Sequence, residues 1–168
     1  EKLAENGFAS LSFDFSKNGV SADKPSDFTR LDLFAENTHT IELDDLKTVI
    51  DHFYEIAPEF NIDRDRIALI GHSRGGGDAI IKSSEDNRIK ALVTLASIAG
   101  VNRYTDEQMK KWREKGYIEI PNARTGQMMR MNVSFLDDIE MNSKRLDITG
   151  AIRKLKIPVL IIHGKEDL

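Results

Sequence analysis

The stretch with the clearest chemical content is Gly71-His72-Ser73-Arg74-Gly75. A serine hydroxyl is a weak nucleophile until a tight turn projects it toward a base and clear of its own backbone. G-x-S-x-G supplies that turn when a strand precedes it and a helix follows, the arrangement called a nucleophile elbow. Here residues 67–71 are rich in aliphatics and read as a short buried strand, and residues 76–84 read as a helix. Gly71 and Gly75 are expected to let strand and helix approach closely. The helix N-terminus aims backbone N–H groups at a developing oxyanion, with the Arg74 N–H as first donor. The Arg74 side chain is expected only as a surface salt-bridge partner. A bare G-x-S-x-G arises by chance in roughly a few per cent of chains this long, so the flanking elements carry the weight. The run GHSRGGG lacks the Gly-Lys-Ser/Thr ending of a P-loop, which argues against phosphate binding.

A second candidate group lies at His163-Gly164-Lys165-Glu166-Asp167. A carboxylate just beyond a strand can hold an imidazole in one tautomer and stabilise its protonated form, and Asp167 is placed for that. The alternative is a turn residue after a strand. The chain has four histidines, and none has an obvious catalytic place. His72 sits inside the elbow and is expected to point into the fold. His163 should pack or bond locally at a strand end, and His52 lies on the polar side of a helix. His39, in the loop before that helix, stays open as a displaced base. No two histidines have ligand-like spacing and cysteine is absent, so no metal site is expected.

Positioning these groups takes a framework, and 168 residues suffice for one domain with a real core. The chain is 40% hydrophobic and 31% charged, with net charge −4. Without a basic tract it gives no support for nucleic acid or an anionic membrane as partner. No apolar run approaches the ~20 residues of a membrane span. The compartment stays open, with the cytoplasm as the default. Residues 1–6 read as the tail of a helix capped by Gly7, and 8–15 (FASLSFDF) as a strand. A polar loop runs to about 40. Leu43, Leu46, Ile50, Phe53 and Ala57 recur at helical spacing and predict a helix over 40–57, stopped by Pro58. Residues 89–97 and 157–163 read as buried strands, the second reached through a helix near 147–156. Alternating strands and helices with continuous apolar runs predict an α/β fold, a parallel sheet with helices on both faces.

Residues 98–147 form an insertion too long for an ordinary connection. A helix over 105–115, a hairpin over 117–131 turning at 122–126, and a helix over 134–140 are expected. All five methionines and the sole tryptophan, Trp112, fall inside it. Flexible, polarizable methionines suit irregular apolar acyl or aryl groups, so Met128, Met129 and Met131 are the expected substrate-binding residues, overhanging Ser73, and trimming them should change chain-length preference more than stability; the alternative is that they only fill the core of a small subdomain.

The elbow with its Gly-His-Ser-x-Gly-Gly run resembles the serine esterases and lipases of the α/β-hydrolase superfamily. Asp14-Phe15-Ser16-Lys17-Asn18-Gly19-Val20-Ser21 is similar to the D-x-R-G-x-G-x-S segment after that family's fourth strand, matching at Asp14, Gly19 and Ser21. Ser16 and Lys17 replace the usual Arg and Gly. His163 to Asp167 resembles the H-G-x-x-D segment after the seventh strand. The resemblance implies a catalytic Ser73 and Asp167 followed by a histidine that this sequence does not contain. It therefore implies a partial α/β-hydrolase domain over 1–168, an internal fragment with 98–147 as a lid-like insertion. The implied reaction is cleavage of small-molecule carboxylic esters through an acyl-enzyme, without a cofactor. The alternative is a non-catalytic binding module of the same fold that keeps the elbow as architecture. In that family a further strand lies between the equivalents of 8–15 and 67–71. Those two would thus either stand roughly 9.6 Å apart or shift to pair directly.

Overall fold

The computed structural model describes residues 2–21, 23–122 and 125–167. In chain order the elements are α1 (Lys2–Glu5), β1 (Val20–Ser21), β2 (Lys24–Phe28), α2 (Leu31–Ala35) and α3 (His39–Ile56), then β3 (Ile67–His72), α4 (Arg74–Glu85) and β4 (Ile89–Leu95). The insertion contributes α5 (Asp106–Lys115), β5 (Tyr117–Pro121), β6 (Met128–Asn132) and α6 (Ser134–Met141). After it come α7 (Ile148–Lys154) and β7 (Val159–Ile162). Glu1 of the expected first helix, and Ala123 and Arg124 of the expected hairpin turn, lie outside the described residues.

The central sheet has the order β3-β4-β7 with every pairing parallel, and helices flank it. The α/β class and the three consecutive parallel strands are as the apolar runs predict. Leu69 and Leu92 are paired in the sheet and face the helical layer. Leu46 and Ile50 of α3 pack with Ile67 and Ile89, while Ile80 and Ile81 of α4 and Ala151 of α7 join the cluster around Leu92. Helix α3 starts where expected because Thr38 caps it, its hydroxyl accepting from the Ile41 N–H at 3.3 Å. The cover is uneven: on the opposite face Ile70 is 58% exposed, and Leu160 and Ile162 are exposed too.

Residues 8–15 form no strand, which corrects the sequence reading. Strand β3 pairs with β4 along one edge, and among the described residues nothing pairs with its other edge. A lone segment gains no ladder hydrogen bonds, so alternation alone does not make it a strand. Phe13 and Phe15 nonetheless meet edge to face at 5.0 Å and pack against the cluster of Leu46, Ile50, Ile67 and Ile89. Direct pairing of 8–15 with β3 therefore does not occur.

The stretch before α3 is also more structured than a polar loop. It holds the short hairpin β1–β2 and helix α2, elements whose local signal is too brief to read. Tertiary contacts hold them: the Gln127 side-chain amide donates to the Phe28 carbonyl at 3.0 Å. Within the insertion, Thr105 and Gln108 form a capping box that starts α5, and Gly116 ends it at φ 81°. Trp112 stacks on Phe135 at 5.9 Å and donates its indole N–H to the Met131 carbonyl at 3.1 Å. Trp112, Met131, Phe135 and Leu136 share one buried cluster with Leu43, Ile80 and Leu92. The insertion is thus packed into the core of the sheet's helical layer.

Candidate active site

Ser73 stands between β3 and α4 with φ 53° and ψ −119°, a region that L-residues avoid. Such strain persists only where the surroundings over-determine it. Here the Ser73 N–H donates to the Leu95 carbonyl at 2.9 Å. Its own carbonyl accepts from the Gly76 N–H at 3.1 Å and the Ile98 N–H at 3.2 Å. Those bonds pin the turn to the ends of the neighbouring strand. Among the described residues the Ser73 hydroxyl has no hydrogen-bond partner.

The glycines divide the work differently from expectation. A Cβ on Gly71 would collide with the Gly75 carbonyl and come within 2.7 Å of the Gly76 Cα. One on Gly76 would lie 2.7 Å from the Ser97 Cβ. A Cβ on Gly75, by contrast, meets nothing within 4 Å. Close approach of strand to helix therefore needs Gly71 and Gly76, and Gly75 contributes only its backbone.

The Arg74 side chain is no surface ion-pair partner. Its Nε donates to Glu42 Oε2 at 2.7 Å, and its guanidinium lies 4.9 Å from the centroid of the Phe135 ring. The Asn37 side-chain amide donates to Glu42 Oε1 at 2.7 Å, so both carboxylate oxygens of Glu42 are engaged. Beside them His39 Nδ1 lies 3.0 Å from Asp78 Oδ1, with the two side chains only 2% and 1% exposed. Thr40 ties the same turn of α3 to α6 through its N–H and hydroxyl, both on Asp138. The sequence alone places His39 in the loop before the helix. The buried cluster beneath the elbow was missed. A polar first turn in a helix whose neighbours bury it was the available signal.

Burial is the main cause of the unusual ionisation here. It raises the Glu42 carboxyl to about 7 against the lowering effect of Arg74, and raises Asp78 to about 6. It lowers His39 to about 4, with Arg74 adding to the fall. Both carboxyls bind protons more tightly in the fold than in the unfolded chain. Their contribution to stability is full below their unfolded values near 4 and is lost as pH rises through 6 and 7. His39 acts oppositely, stabilising above about 6.5 and losing that as pH falls through 4. Two carboxyls outweigh one imidazole, so melting temperature should fall between pH 4.5 and 7. Asp78→Asn leaves Glu42 and His39 opposed and should flatten most of that fall, a change of about 2 kcal/mol relative to the wild type. Parallel melting curves for the two proteins across this range would contradict the assignment.

His39, Glu42 and Asp78 place one ligand atom each within 4.8 Å of one another, so geometry alone would let them hold a cation. Arg74 and Asn37 already bond the two Glu42 carboxylate oxygens, and the Arg74 guanidinium supplies a positive charge there.

The remaining expected residues are placed as follows. Asp167 lies beyond the C-terminal end of β7, and Ser73 beyond that of β3, two strand positions away and so roughly 10 Å across the sheet. Asp167 is exposed and sits 3.4 Å from His163 Nε2. His72 does not point into the fold: it shares the open sheet face with Ile70 and is exposed, because alternation along β3 turns Gly71 inward instead. His52 is exposed on α3, and His39, buried against Asp78, is not free to act as a displaced base.

Next to Ser73 is an open cleft of about 650 Å³ lined by Phe34, His72, Ile120, Pro121, Met129 and Met131, among others. The β5–β6 hairpin forms one wall, and Phe34 of α2 contributes to the lining. Met128 does not line it and is largely exposed. Strand alternation sends Met129 and Met131 inward and Met128 outward.

A family model described as BD-FAE matches residues 30–168. The chain belongs to the BD-FAE family. This is an esterase/hydrolase family, in keeping with the α/β-hydrolase resemblance. The BD-FAE match covers both Ser73 and Asp167. The chain is 35% identical over 94 residues to PA2218 of Pseudomonas aeruginosa and 31% identical over 98 residues to YcjY of Escherichia coli. It is 31% identical over 113 residues to Hydrolase LUC6 of Fusarium sp.. These alignments cover 56%, 58% and 67% of this chain but only 22%, 28% and 25% of the relatives, so the chain spans about a quarter of their length. A solved structure from Agrobacterium vitis S4, described as a hydrolase, superposes with a TM-score of 0.55 at 16% identity, covering 79% of this chain and 62% of that one. That likeness concerns the fold. Among the described residues no helix is long and apolar enough to cross a membrane.

Proposed function

We propose that the protein cleaves small-molecule carboxylic esters through an acyl-enzyme on Ser73. The observation that carries this reading is the strained Ser73 backbone, which leaves an unbonded hydroxyl beside an apolar cleft at the head of α4. Ser73 Oγ attacks the ester carbonyl, the carbon–oxygen bond to the alcohol breaks, and the alcohol leaves with a proton. Water then attacks the acyl group and returns Ser73 to its starting state. Arg74 N–H, at the first position of α4, donates to the oxyanion. Asp167 orients the imidazole that moves the protons. None of His39, His52, His72 and His163 bridges Ser73 and Asp167, so in this reading that imidazole is one that these 168 residues do not contain. The hairpin acts as a lid, with Ile120, Met129 and Met131 against the acyl or aryl group.

Labelling of the full-length protein with a fluorophosphonate, followed by peptide mapping, tests the nucleophile. The adduct is expected on Ser73; an unlabelled Ser73 in protein that turns over an aryl ester would sink the assignment. No turnover and no adduct would favour the binding-module reading. Specificity is tested separately. Ile120→Ala should shift the preference between short and long acyl chains several-fold with little change in melting temperature, because Ile120 borders the cleft and is partly exposed. Met131→Ala should instead cost about 2–5 kcal/mol of stability, since Met131 belongs to the buried core. Burial of Met129 and Met131 agrees with the core-filling alternative, so trimming either should cost stability as well as change specificity.

A further inference from the structure

We infer that Glu42 is a positioning residue for the oxyanion donor: by gripping the Arg74 guanidinium it fixes the peptide that carries the Arg74 N–H. The inference rests on the reading of Ser73 and Arg74 given under Proposed function.

One peptide unit joins Ser73 to Arg74, and its N–H has to point at the oxyanion while Ser73 holds a strained φ of 53°. The Ser73 side of that unit is fastened by the bonds to Leu95, Gly76 and Ile98. At the first position of a helix the Arg74 N–H has no intrahelical acceptor to hold it. The Arg74 side chain provides a second anchor. Nε reaches Glu42 on α3 at 2.7 Å, and the guanidinium packs over Phe135 of the insertion at 4.9 Å. Glu42 is itself held, its other oxygen accepting from Asn37 at 2.7 Å. Two elements distant in sequence thus hold the residue that follows the nucleophile.

A purely structural ion pair is a poor account of this arrangement. Glu42 is 7% exposed, and burying a carboxylate is costly unless its partner repays it. A surface arginine would suffice to start α4. Asp78, one turn further along α4, is bonded to His39 instead of Arg74, so the guanidinium bonds across to α3 and not within its own helix. The insertion enters the same assembly through Phe135 and through Asp138, which accepts from Thr40. Packing of the lid is therefore coupled to the donor geometry.

The experiment compares wild type, Glu42→Gln, Glu42→Leu and the double variant Glu42→Leu/Arg74→Met in the full-length protein. Steady-state turnover of a p-nitrophenyl ester and inhibition by an alkylboronic acid, which mimics the tetrahedral adduct on serine, are measured with melting temperature. Glu42→Gln keeps an acceptor and should lower kcat by about threefold to tenfold. Glu42→Leu should lower kcat by about tenfold to a hundredfold, near the lower end of what loss of an oxyanion donor causes. KM should stay within about twofold, and boronic acid affinity should fall in step with kcat. The double variant removes both charges and should recover melting temperature while kcat stays low. Recovery of kcat along with melting temperature would make the pair structural and overturn the inference, as would single variants with unchanged kcat in protein whose turnover depends on Ser73. Turnover that does not depend on Ser73 would remove the catalytic reading itself, and the role of Glu42 with it.

Discussion

Replacing Ser73 by alanine is expected to lower kcat for ester turnover on the order of a million-fold in the full-length protein, leaving the melting temperature nearly unchanged. The size follows from the proposed role: without Oγ no acyl-enzyme would form, and only binding and the oxyanion donors would remain. The unchanged stability follows from the structure. The Ser73 hydroxyl has no hydrogen-bond partner among the described residues, and alanine meets the same backbone strain at φ 53°. Glycine separates the two properties further. Ser73→Gly should be equally inactive but more stable by about 1 kcal/mol or more, because glycine adopts positive φ without steric penalty. Calorimetry beside a turnover assay reads both. A Ser73→Ala protein that keeps its rate, or a glycine variant less stable than alanine, would contradict the elbow assignment.

The second large effect is structural. Gly71→Ala is expected to destabilise the fold by about 3 kcal/mol or more, since its Cβ would press on backbone that cannot rotate away. In a domain of this size that corresponds to a fall in melting temperature of roughly 10 °C. Gly75→Ala is the control. Its Cβ meets nothing within 4 Å and its backbone is helical, so the variant should be neutral or gain about 0.5 kcal/mol. Equal melting temperatures for the two variants would mean that strand and helix do not meet at Gly71. Activity should follow the same order, because a displaced α4 carries the Arg74 N–H away from Ser73.

Much of the framework was legible because its signals are local. Five apolar residues at helical spacing put α3 within a residue of its place at each end. Aliphatic runs located β3, β4 and β7, and the helix expected over 105–115 is α5. Gly-x-Ser-x-Gly located the strained turn, since few other sequences fit a strand passing so abruptly into a helix.

What only the tertiary structure decided depends on partners far away in sequence. Residues 8–15 have the alternation of a strand, yet a strand exists only with a neighbour, and among the described residues none pairs with it. Glycines 71 and 75 look alike in the motif; the backbone they face makes one indispensable and the other replaceable. Arg74 reads as a surface cation until Glu42, 32 residues earlier, is brought within 2.7 Å of it. His39 and Asp78, 39 residues apart, become a buried pair. Sequence patterning records which face of an element is apolar, and so determined the class of the fold and the place of the strained turn at Ser73. Burial and charge pairing are properties of the packed layers, so the cluster beneath the elbow became visible only once α3, α4 and α6 were in contact.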